Sequence, residues 1–288
     1  MKKLFAPVLA SVAAIVATVG FSIPQASAAT GPYYLALGDS LSVGWQPNAN
    51  GIGLATDQGY VDDIYASELT TNPALQLVKM GCPGETTVSF IKGGVCATTY
   101  LSQLTGAEKF LRKFGSQTSF VTLDIGANNV DNCVSGQTVD LTCISTGITK
   151  ITKQIPKILA GLKAADPTVQ IFGMTYYDPF LAEYLTGTTG QTLAQESISL
   201  TNSVNAAITT AYQNAGVPVA DVANDSSFAT SDFTFNNGDT IGGNPVPDDV
   251  FNICELTYMC AAAPVGPNIH ANPTGYQAIA NDFLALNP

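Results

Sequence analysis

The sequence predicts an α/β fold, a three-layer α/β/α sandwich with a central, mostly parallel five-stranded sheet. Short apolar runs rich in β-branched and aromatic residues recur along the chain, and segments with helical periodicity lie between them. Strands that alternate with helices form a parallel sheet whose two faces are both covered.

The predicted strands are, in chain order, "YYLAL" (33–37), "LQLVKM" (75–80), "SFVTLDI" (119–125), "VQIFGMTYY" (169–177) and "VPVADV" (217–222). The predicted helices are 60–69, 101–114, 144–166 and 192–216, with a last helix after residue 270. Segment 235–249 is the longest turn-rich insertion. Because ligands of open parallel sheets bind at the carboxyl ends of the strands, functional motifs are expected just after each apolar run.

Residues 1–28 have the pattern of a secretory signal peptide: two lysines, an apolar run, and small residues that end in "ASA". We expect cleavage after Ala28, with a retained membrane anchor as the alternative. No later stretch is long and apolar enough to span a bilayer. The remaining residues, 29–288, suit one large α/β domain. We therefore expect a secreted, extracellular, single-domain monomer without stable membrane insertion.

The charge of the chain bears on its partners. The formal net charge is −11, and it becomes −13 when Lys2 and Lys3 are removed with the signal peptide. An acidic surface disfavours nucleic acid and anionic lipid headgroups as partners.

Six cysteines in an exported chain indicate disulfide bonds. Proximity in sequence favours three pairs, although six cysteines permit 15 pairings. Without a C-x-x-C motif, and with one histidine, a structural metal site is disfavoured. The favoured pairs are Cys82–Cys96, Cys133–Cys143 and Cys254–Cys260.

The first strand runs into "GDSLSVGW" (38–45). Gly38 permits a tight exit from the strand, and Ser40 is predicted at the start of the next helix, where backbone N–H groups and the helix dipole favour an anion. Ser40 is therefore a candidate nucleophile with a site for negative charge beside it. Asp39 and Ser40 as simple helix caps are the alternative interpretation.

Two further motifs follow the second and third strands. "GCPGETT" (81–87) contains Gly84, where a backbone N–H can approach a ligand closely. "DIGANNV" (124–130) contains Asn128, whose side chain can donate to a developing oxyanion or merely form a turn.

The only histidine, His270, lies in "PNIHANPTGY" (267–276), just before the predicted last helix. Serine is a weak nucleophile until a neighbouring base takes its proton, and histidine suits this role near neutral pH. If the chain uses such a base, His270 is the only histidine that can serve.

Taken in order, these four motifs resemble those of the SGNH hydrolases, the GDSL family of esterases and lipases. "GDSLS", "CPGETT", "GANN" and "HANPTGY" resemble the four family blocks, and the resemblance extends over most of residues 29–288. It implies the flavodoxin-like fold of the family, Ser40 as nucleophile and His270 as general base. It further implies an oxyanion hole formed by the backbone N–H groups of Ser40 and Gly84 and the side chain of Asn128, with no cofactor and no metal.

The sequence departs from the family where an aspartate normally orients the histidine. Three residues before His270 stands Pro267, which has no carboxylate. The favoured interpretation is that the carbonyl of Pro267 accepts the imidazole Nδ1–H, giving a Ser-His dyad. There are two alternatives: the carboxylate of Asp248 or Asp249 reaches the imidazole instead, or the site is degenerate.

The sequence thus predicts a serine hydrolase that cleaves a small-molecule or lipid carboxylic ester through an acyl-serine intermediate. One alternative is a carbohydrate acetylesterase of the same fold, and another is a noncatalytic binding module. Trp45 and the aromatic residues of "MTYYDPF" (174–180) could line either kind of ester site.

Overall fold

The computed structural model describes residues 31–96, 100–225 and 227–288. The predicted signal peptide, 1–28, lies outside the described residues. Gly31–Pro288 forms one compact unit. Within the described residues, no helix is long and apolar enough to cross a membrane.

A parallel sheet lies at the centre of this unit, which confirms the predicted fold class. Its strands run in the spatial order β2-β1-β3-β4-β5, and each neighbouring pair is parallel. All six residues of β1 are buried, because helices cover both faces of the sheet. The strands are β1 (Tyr33–Gly38), β2 (Gln76–Lys79), β3 (Thr118–Asp124), β4 (Ile171–Met174) and β5 (Val219–Ala220).

The helices form two groups that pack on the sheet. They are α1 (Tyr60–Glu68), α2 (Thr87–Lys92), α3 (Gln103–Phe114), α4 (Leu141–Ala165), α5 (Thr188–Asn214), α6 (Asp248–Leu256) and α7 (Pro273–Leu284). Helices α1 and α7 pack together, and the ring of Tyr60 stacks on that of Phe283 at 5.1 Å. Helix α4 packs against α2, α3 and α5.

Short elements complete the unit. The antiparallel two-residue pairs are Gln46–Pro47 with Gly53–Leu54, Val134–Ser135 with Thr138–Val139, and Thr240–Ile241 with Asn244–Pro245. A fourth antiparallel pair joins Thr257–Tyr258 to the strand Asn268–Ala271. The 3₁₀ helices are Leu41–Val43, Gly115–Gln117, Ala127–Asn129, Asp131–Cys133 and Pro179–Thr186.

Some helices begin earlier than the sequence pattern predicts. Helix α4 starts at Leu141, three residues before the predicted start, because the Asp140 carboxylate accepts the N–H groups of Thr142 and Cys143. Helix α5 starts at Thr188, four residues early. Helices α2 and α6 were not among the predicted segments. The insertion 235–249 contains one of the short antiparallel pairs and leads into α6.

The six cysteines form three disulfides, with the pairing that their proximity favours. The bonds are Cys82–Cys96, Cys133–Cys143 and Cys254–Cys260. The second ties a 3₁₀ helix to the first turn of α4, and the third encloses the end of α6 and the strand Thr257–Tyr258.

Several carboxyl groups are buried or half-buried away from cations. Burial raises the pKa of Asp131, Asp249 and Asp282 to about 7 and that of Asp178 to about 6. Among the described residues, no Lys or Arg forms an ion pair with them. Asp249 is completely buried, and the charges of Asp178 and Asp232 add to the effect of burial on its pKa.

These groups should make the folded chain more stable in acid than in base. An aspartate of the unfolded chain has a pKa of about 3.9, so the folded state binds the protons more tightly. The contribution to the free energy of unfolding is complete below about pH 4 and is lost as pH rises through about 7. We therefore expect the Tm to fall between pH 5 and pH 8, as measured by calorimetry.

The variant Asp249→Asn tests the assignment of this effect. Its amide cannot ionise, so the fall in Tm from pH 5 to pH 8 should be smaller than in the parent chain. A Tm that is lower by the same amount at every pH would reflect only the free-energy cost of burying the amide. An unchanged slope would contradict a role for Asp249.

Candidate active site

Ser40 lies at the exit from β1, where the chain turns sharply. The α-helix predicted to start here is absent: Ser40 precedes the three-residue 3₁₀ helix Leu41–Val43, and α1 begins only at residue 60. So short a turn has no helix dipole of consequence, and that part of the prediction is wrong. The Asp39 carboxylate accepts the N–H of Leu41 at 3.0 Å, whereas the Ser40 side chain caps nothing. Asp39 is therefore the cap.

Gly38 allows the ends of β1 and β3 to approach each other closely. Its φ is 137°, a conformation that residues with a side chain rarely adopt. A Cβ at this position would lie 2.1 Å from the side-chain Oδ1 of Asp124. Only glycine fits here.

Asp39 and Asp124 form a buried carboxyl pair beneath Ser40. The Asp39 N–H donates to the carbonyl oxygen of Asp124 at 3.1 Å and to its Oδ2 at 3.3 Å. Tyr176 donates its hydroxyl to Asp39 Oδ2 at 2.7 Å, and Tyr60 donates to Asp124 Oδ1 at 2.8 Å. Burial raises the pKa of both carboxyls, and the charge of Asp39 raises that of Asp124 further. Of the two, Asp124 is therefore the better proton holder.

His270 reaches Ser40 from the strand Asn268–Ala271. Its Nε2 lies 2.8 Å from Ser40 Oγ, although 230 residues separate the two in sequence. On the other side of the ring, Nδ1 lies 2.8 Å from Oδ1 of Asn268. The three side chains form a continuous hydrogen-bonded row.

The hydrogen bonds of Asn268 fix the tautomer of the imidazole. Asn268 Oδ1 also accepts the backbone N–H of His270 at 3.0 Å. A backbone N–H can only donate, so the side-chain atom facing it is the amide oxygen. Nδ1 must then carry the proton and donate to that oxygen. Nε2 is left as the acceptor that faces the Ser40 hydroxyl.

The prediction that Pro267 orients the histidine is wrong, because Asn268 supplies the acceptor through its side chain. The alternative acceptors, Asp248 and Asp249, form hydrogen bonds with other groups. Asp248 accepts from the Thr234 hydroxyl at 3.4 Å, and Asp249 accepts the N–H of the next residue at 2.8 Å. The sequence does contain a signal for Asn268. The side-chain oxygen of an Asn readily accepts the backbone N–H of the residue two positions later, in an Asx-turn, and His270 follows Asn268 by two positions.

The strand that carries His270 is held from several sides. It pairs with Thr257–Tyr258, which lies inside the loop closed by Cys254–Cys260. The Tyr177 hydroxyl donates to the Ile269 carbonyl oxygen at 2.8 Å. The ring of Trp45 lies 6.5 Å, centre to centre, from the imidazole.

The second and third motifs are joined by hydrogen bonds. The Asn128 amide donates to the carbonyl oxygen of Glu85 at 3.1 Å, and Asn129 Oδ1 accepts the N–H of Thr87 at 2.9 Å. Ser40, Asn128 and His270 line one pocket, together with Tyr177 and Ile269. Asn128 is thus brought to the same cavity as the Ser-His pair.

Gly84 occupies a turn beside this pocket. Its φ is 79°, in the left-handed region that favours glycine. Gly84 is not one of the described residues that line the pocket of Ser40. It precedes Glu85, whose carbonyl oxygen accepts from the Asn128 side chain that lines the pocket.

Burial lowers the pKa of His270 to about 4, because the charged imidazolium loses its hydration and the acceptor at Nδ1 is a neutral amide.

Because the chain contains one histidine, an NMR titration measures the pKa of His270 from a single imidazole signal. We expect a midpoint near pH 4. In Asn268→Asp the new carboxylate stabilises the imidazolium, and the midpoint should rise by at least about one unit. A parent midpoint near 6.5, unchanged in the variant, would contradict this account.

Comparison with known proteins agrees with the geometry. Residues 36–278 match the model of the GDSL-like lipase/acylhydrolase family. No curated protein matches the sequence significantly. The fold is similar to that of an extracellular lipase from Streptomyces rimosus, with TM-score 0.51, 17% identity, and 86% of this chain and 98% of that chain covered. It is equally similar to phospholipase A1 from Streptomyces albidoflavus NA297, with TM-score 0.50 and the same identity and coverage. The chain belongs to the GDSL-like lipase/acylhydrolase family.

Proposed function

We propose that the chain is a secreted serine hydrolase that cleaves carboxylic esters by way of an acyl-serine intermediate. The observation that carries the proposal is the row Ser40–His270–Asn268, with 2.8 Å on each side of the imidazole and the proton on Nδ1. This arrangement suits a base that accepts a proton at Nε2. The pattern of residues 1–28 and the three disulfides support export.

In the first half of the proposed reaction, Ser40 Oγ attacks the ester carbonyl carbon while His270 Nε2 takes the hydroxyl proton. The C–O bond to the alcohol then breaks, and the imidazolium returns the proton to the leaving alkoxide. In the second half, His270 takes a proton from water, which attacks the acyl-serine. The bond from the acyl carbon to Ser40 Oγ then breaks, and the imidazolium returns its proton to Oγ as the carboxylic acid leaves.

The negative charge of the tetrahedral intermediate needs donors beside Ser40. The Asn128 amide carries two N–H hydrogens, and only one of them is needed for the bond to the Glu85 carbonyl. The second is assigned to the oxyanion, together with the backbone N–H groups of Ser40 and Gly84. Since Gly84 lies outside the pocket lining, its N–H is the least supported of the three donors.

The role of Asn268 is to orient the imidazole without adding charge. In a triad with aspartate, the carboxylate both fixes the tautomer and stabilises the imidazolium. Asn268 retains the first function and gives up the second. The base consequently stays neutral, and therefore competent, down to about pH 4.

The catalytic assignment is tested by substitution with p-nitrophenyl acetate as substrate. Ser40→Ala and His270→Ala should each lower kcat by at least about a thousandfold. Asn128→Ala should lower kcat by about a hundredfold, since it removes one oxyanion donor. Ser199→Ala, at an exposed serine of α5, is the matched control.

The outcomes separate the enzyme from a noncatalytic binding module. Labelling of Ser40 by a serine-reactive phosphonate in the parent chain, and its loss in His270→Ala, supports an activated nucleophile. A parent chain that hydrolyses no ester and takes no label would overturn the proposal.

The Cys254–Cys260 bond should matter for activity as well as for stability, because the strand it encloses pairs with the strand of His270. We expect the double substitution of both cysteines by serine to lower kcat by about tenfold or more, the scale of effect expected when a base is misplaced by a fraction of an ångström. Kinetics are measured at a temperature where circular dichroism shows an intact fold. Unchanged kcat would contradict the idea.

A further inference from the structure

Gln103 is a buried glutamine whose amide binds the backbone just ahead of Ser40. It is the first residue of α3, and only 5% of its surface is exposed. The Gly38 N–H donates to Gln103 Oε1 at 2.7 Å, and Gln103 Nε2 donates to the Gly38 carbonyl oxygen at 2.9 Å. Strand β2 ends at Lys79, opposite Ala36. The Gln103 amide therefore takes the place of a neighbouring strand beside Gly38.

The carboxyl group of Glu85 binds the other side of the same amide. Gln103 Nε2 donates to Glu85 Oε2 at 3.0 Å, and Glu85 is only 3% exposed. A primary amide has two N–H hydrogens, and here one is directed to Gly38 and the other to Glu85. The amide therefore cannot turn over without losing its hydrogen bonds to both residues.

Glu85 also contacts a proposed oxyanion donor, through its backbone. Its carbonyl oxygen accepts from the Asn128 side chain at 3.1 Å. Its N–H donates to the carbonyl oxygen of Cys82 at 3.0 Å, and the Cys82 N–H donates to the carbonyl oxygen of Gly38 at 3.0 Å. Glu85 is thus connected to Gly38 by two routes, through Cys82 and through Gln103. A continuous row of hydrogen bonds joins the end of β1 to the Asn128 amide.

A buried polar cluster of this kind is a costly way to pack α3 on the sheet. Burying an amide and a carboxyl costs free energy that their hydrogen bonds only partly offset, and apolar side chains of the same shape are often no less stabilising. The cost is visible at Glu85 Oε1, which is buried without a hydrogen-bond partner among the described residues. Apolar side chains could not, however, fix the direction of the backbone groups that they touch. Position, rather than stability, is therefore what the cluster supplies.

We propose that Glu85 and Gln103 are positioning residues, which hold the Asn128 amide at the distance from Ser40 that a tetrahedral intermediate requires. The inference rests on the proposed ester hydrolysis. Neither side chain is among the described residues that line the pocket of Ser40, so neither touches the reacting atoms. The Glu85 carbonyl oxygen takes one hydrogen of the Asn128 amide, and its position thereby directs the other hydrogen towards the oxyanion.

The first test compares two substitutions of Glu85, with p-nitrophenyl acetate as substrate. Glu85→Met keeps a side chain of similar size and removes the acceptor for Gln103. It should lower kcat by about tenfold and leave KM within about twofold of the parent value, because the loss falls on the transition state. Glu85→Gln still offers an oxygen to Gln103, so it should retain at least about a third of the parent kcat.

Two outcomes of this comparison bear directly on the inference. Equal kcat in Glu85→Met and in the parent would overturn it while ester hydrolysis stands. A loss in Glu85→Gln as large as that in Glu85→Met would also overturn it, because the acceptor would then be irrelevant. If Glu85→Met does not fold, Gln103→Met breaks the same bond and takes its place, with the same expected loss.

The matched control is Tyr212→Phe, which also removes a buried hydrogen bond at the central sheet. The Tyr212 hydroxyl donates to the carbonyl oxygen of Leu123 at 2.9 Å, and Tyr212 does not line the pocket of Ser40. This variant should lower the Tm and leave kcat unchanged at a temperature where circular dichroism shows an intact fold. A comparable loss of kcat in Tyr212→Phe would contradict a specific role of Glu85 and Gln103.

A double-mutant cycle tests whether Glu85 acts through Asn128. In Asn128→Ala the amide is already absent, so adding Glu85→Met should lower kcat by no more than about twofold further. A further loss of about tenfold would show that the two residues act independently, and the inference would be wrong.

Hydrogen exchange at the Gly38 amide tests the row of hydrogen bonds without any activity. In Gln103→Met this N–H loses its acceptor, so its exchange, measured by NMR, should be at least about tenfold faster than in the parent and in Tyr212→Phe. Unchanged exchange would reject the link between Gln103 and Gly38, and the inference with it. Faster exchange in a chain that hydrolyses no ester would reject the proposed function, and the positioning role with it, whereas an active parent matched by Glu85→Met rejects the positioning role alone.

Discussion

The placement of Ser40 depends on one buried contact, between Asp39 at the end of β1 and Asp124 at the end of β3. The Asp39 N–H and carboxylate bind Asp124, Leu41 and Tyr176, and Asp124 in turn accepts from Tyr60. These bonds join two central strands, α1 and the loop after β4. Burial raises the pKa of both carboxyls, and within the described residues no Lys or Arg forms an ion pair with them. The turn that presents Ser40 is fixed by this contact.

The second constraint is local. His270 takes its orientation from Asn268, two residues away on the same strand, and that strand is fixed by pairing with Thr257–Tyr258. A carboxylate delivered from another loop is therefore unnecessary for geometry. Compared with an aspartate, Asn268 lacks only the negative charge that would stabilise the imidazolium. The site combines a firmly held imidazole with a low affinity of that imidazole for protons.

The sequence was sufficient for the α/β class and for the meeting of Ser40, His270 and Asn128 in one pocket, because strand–helix alternation and motifs at strand ends follow from local pattern. The sequence did not identify Asn268. In the family the aspartate stands three residues before the histidine, which indicated Pro267, whereas the observed acceptor is the side chain of Asn268 in an Asx-turn. Helix α6 begins inside the segment 235–249, which its glycines, asparagines and prolines mark as turn-rich, and it was missed for that reason. The pocket that contains Ser40 and His270 could not be outlined from the sequence, because its walls meet only in the folded chain.

The neutral acceptor of His270 has a consequence for turnover in a poorly buffered medium. Every ester cleaved near neutral pH yields a carboxylic acid that ionises, so the surroundings of a working hydrolase acidify. An imidazole with the ordinary pKa of about 6.5 would become protonated as its own product accumulated, and the reaction would slow itself. With the amide of Asn268 in place of a carboxylate, the proposed enzyme escapes this product inhibition until the medium is some hundredfold more acidic.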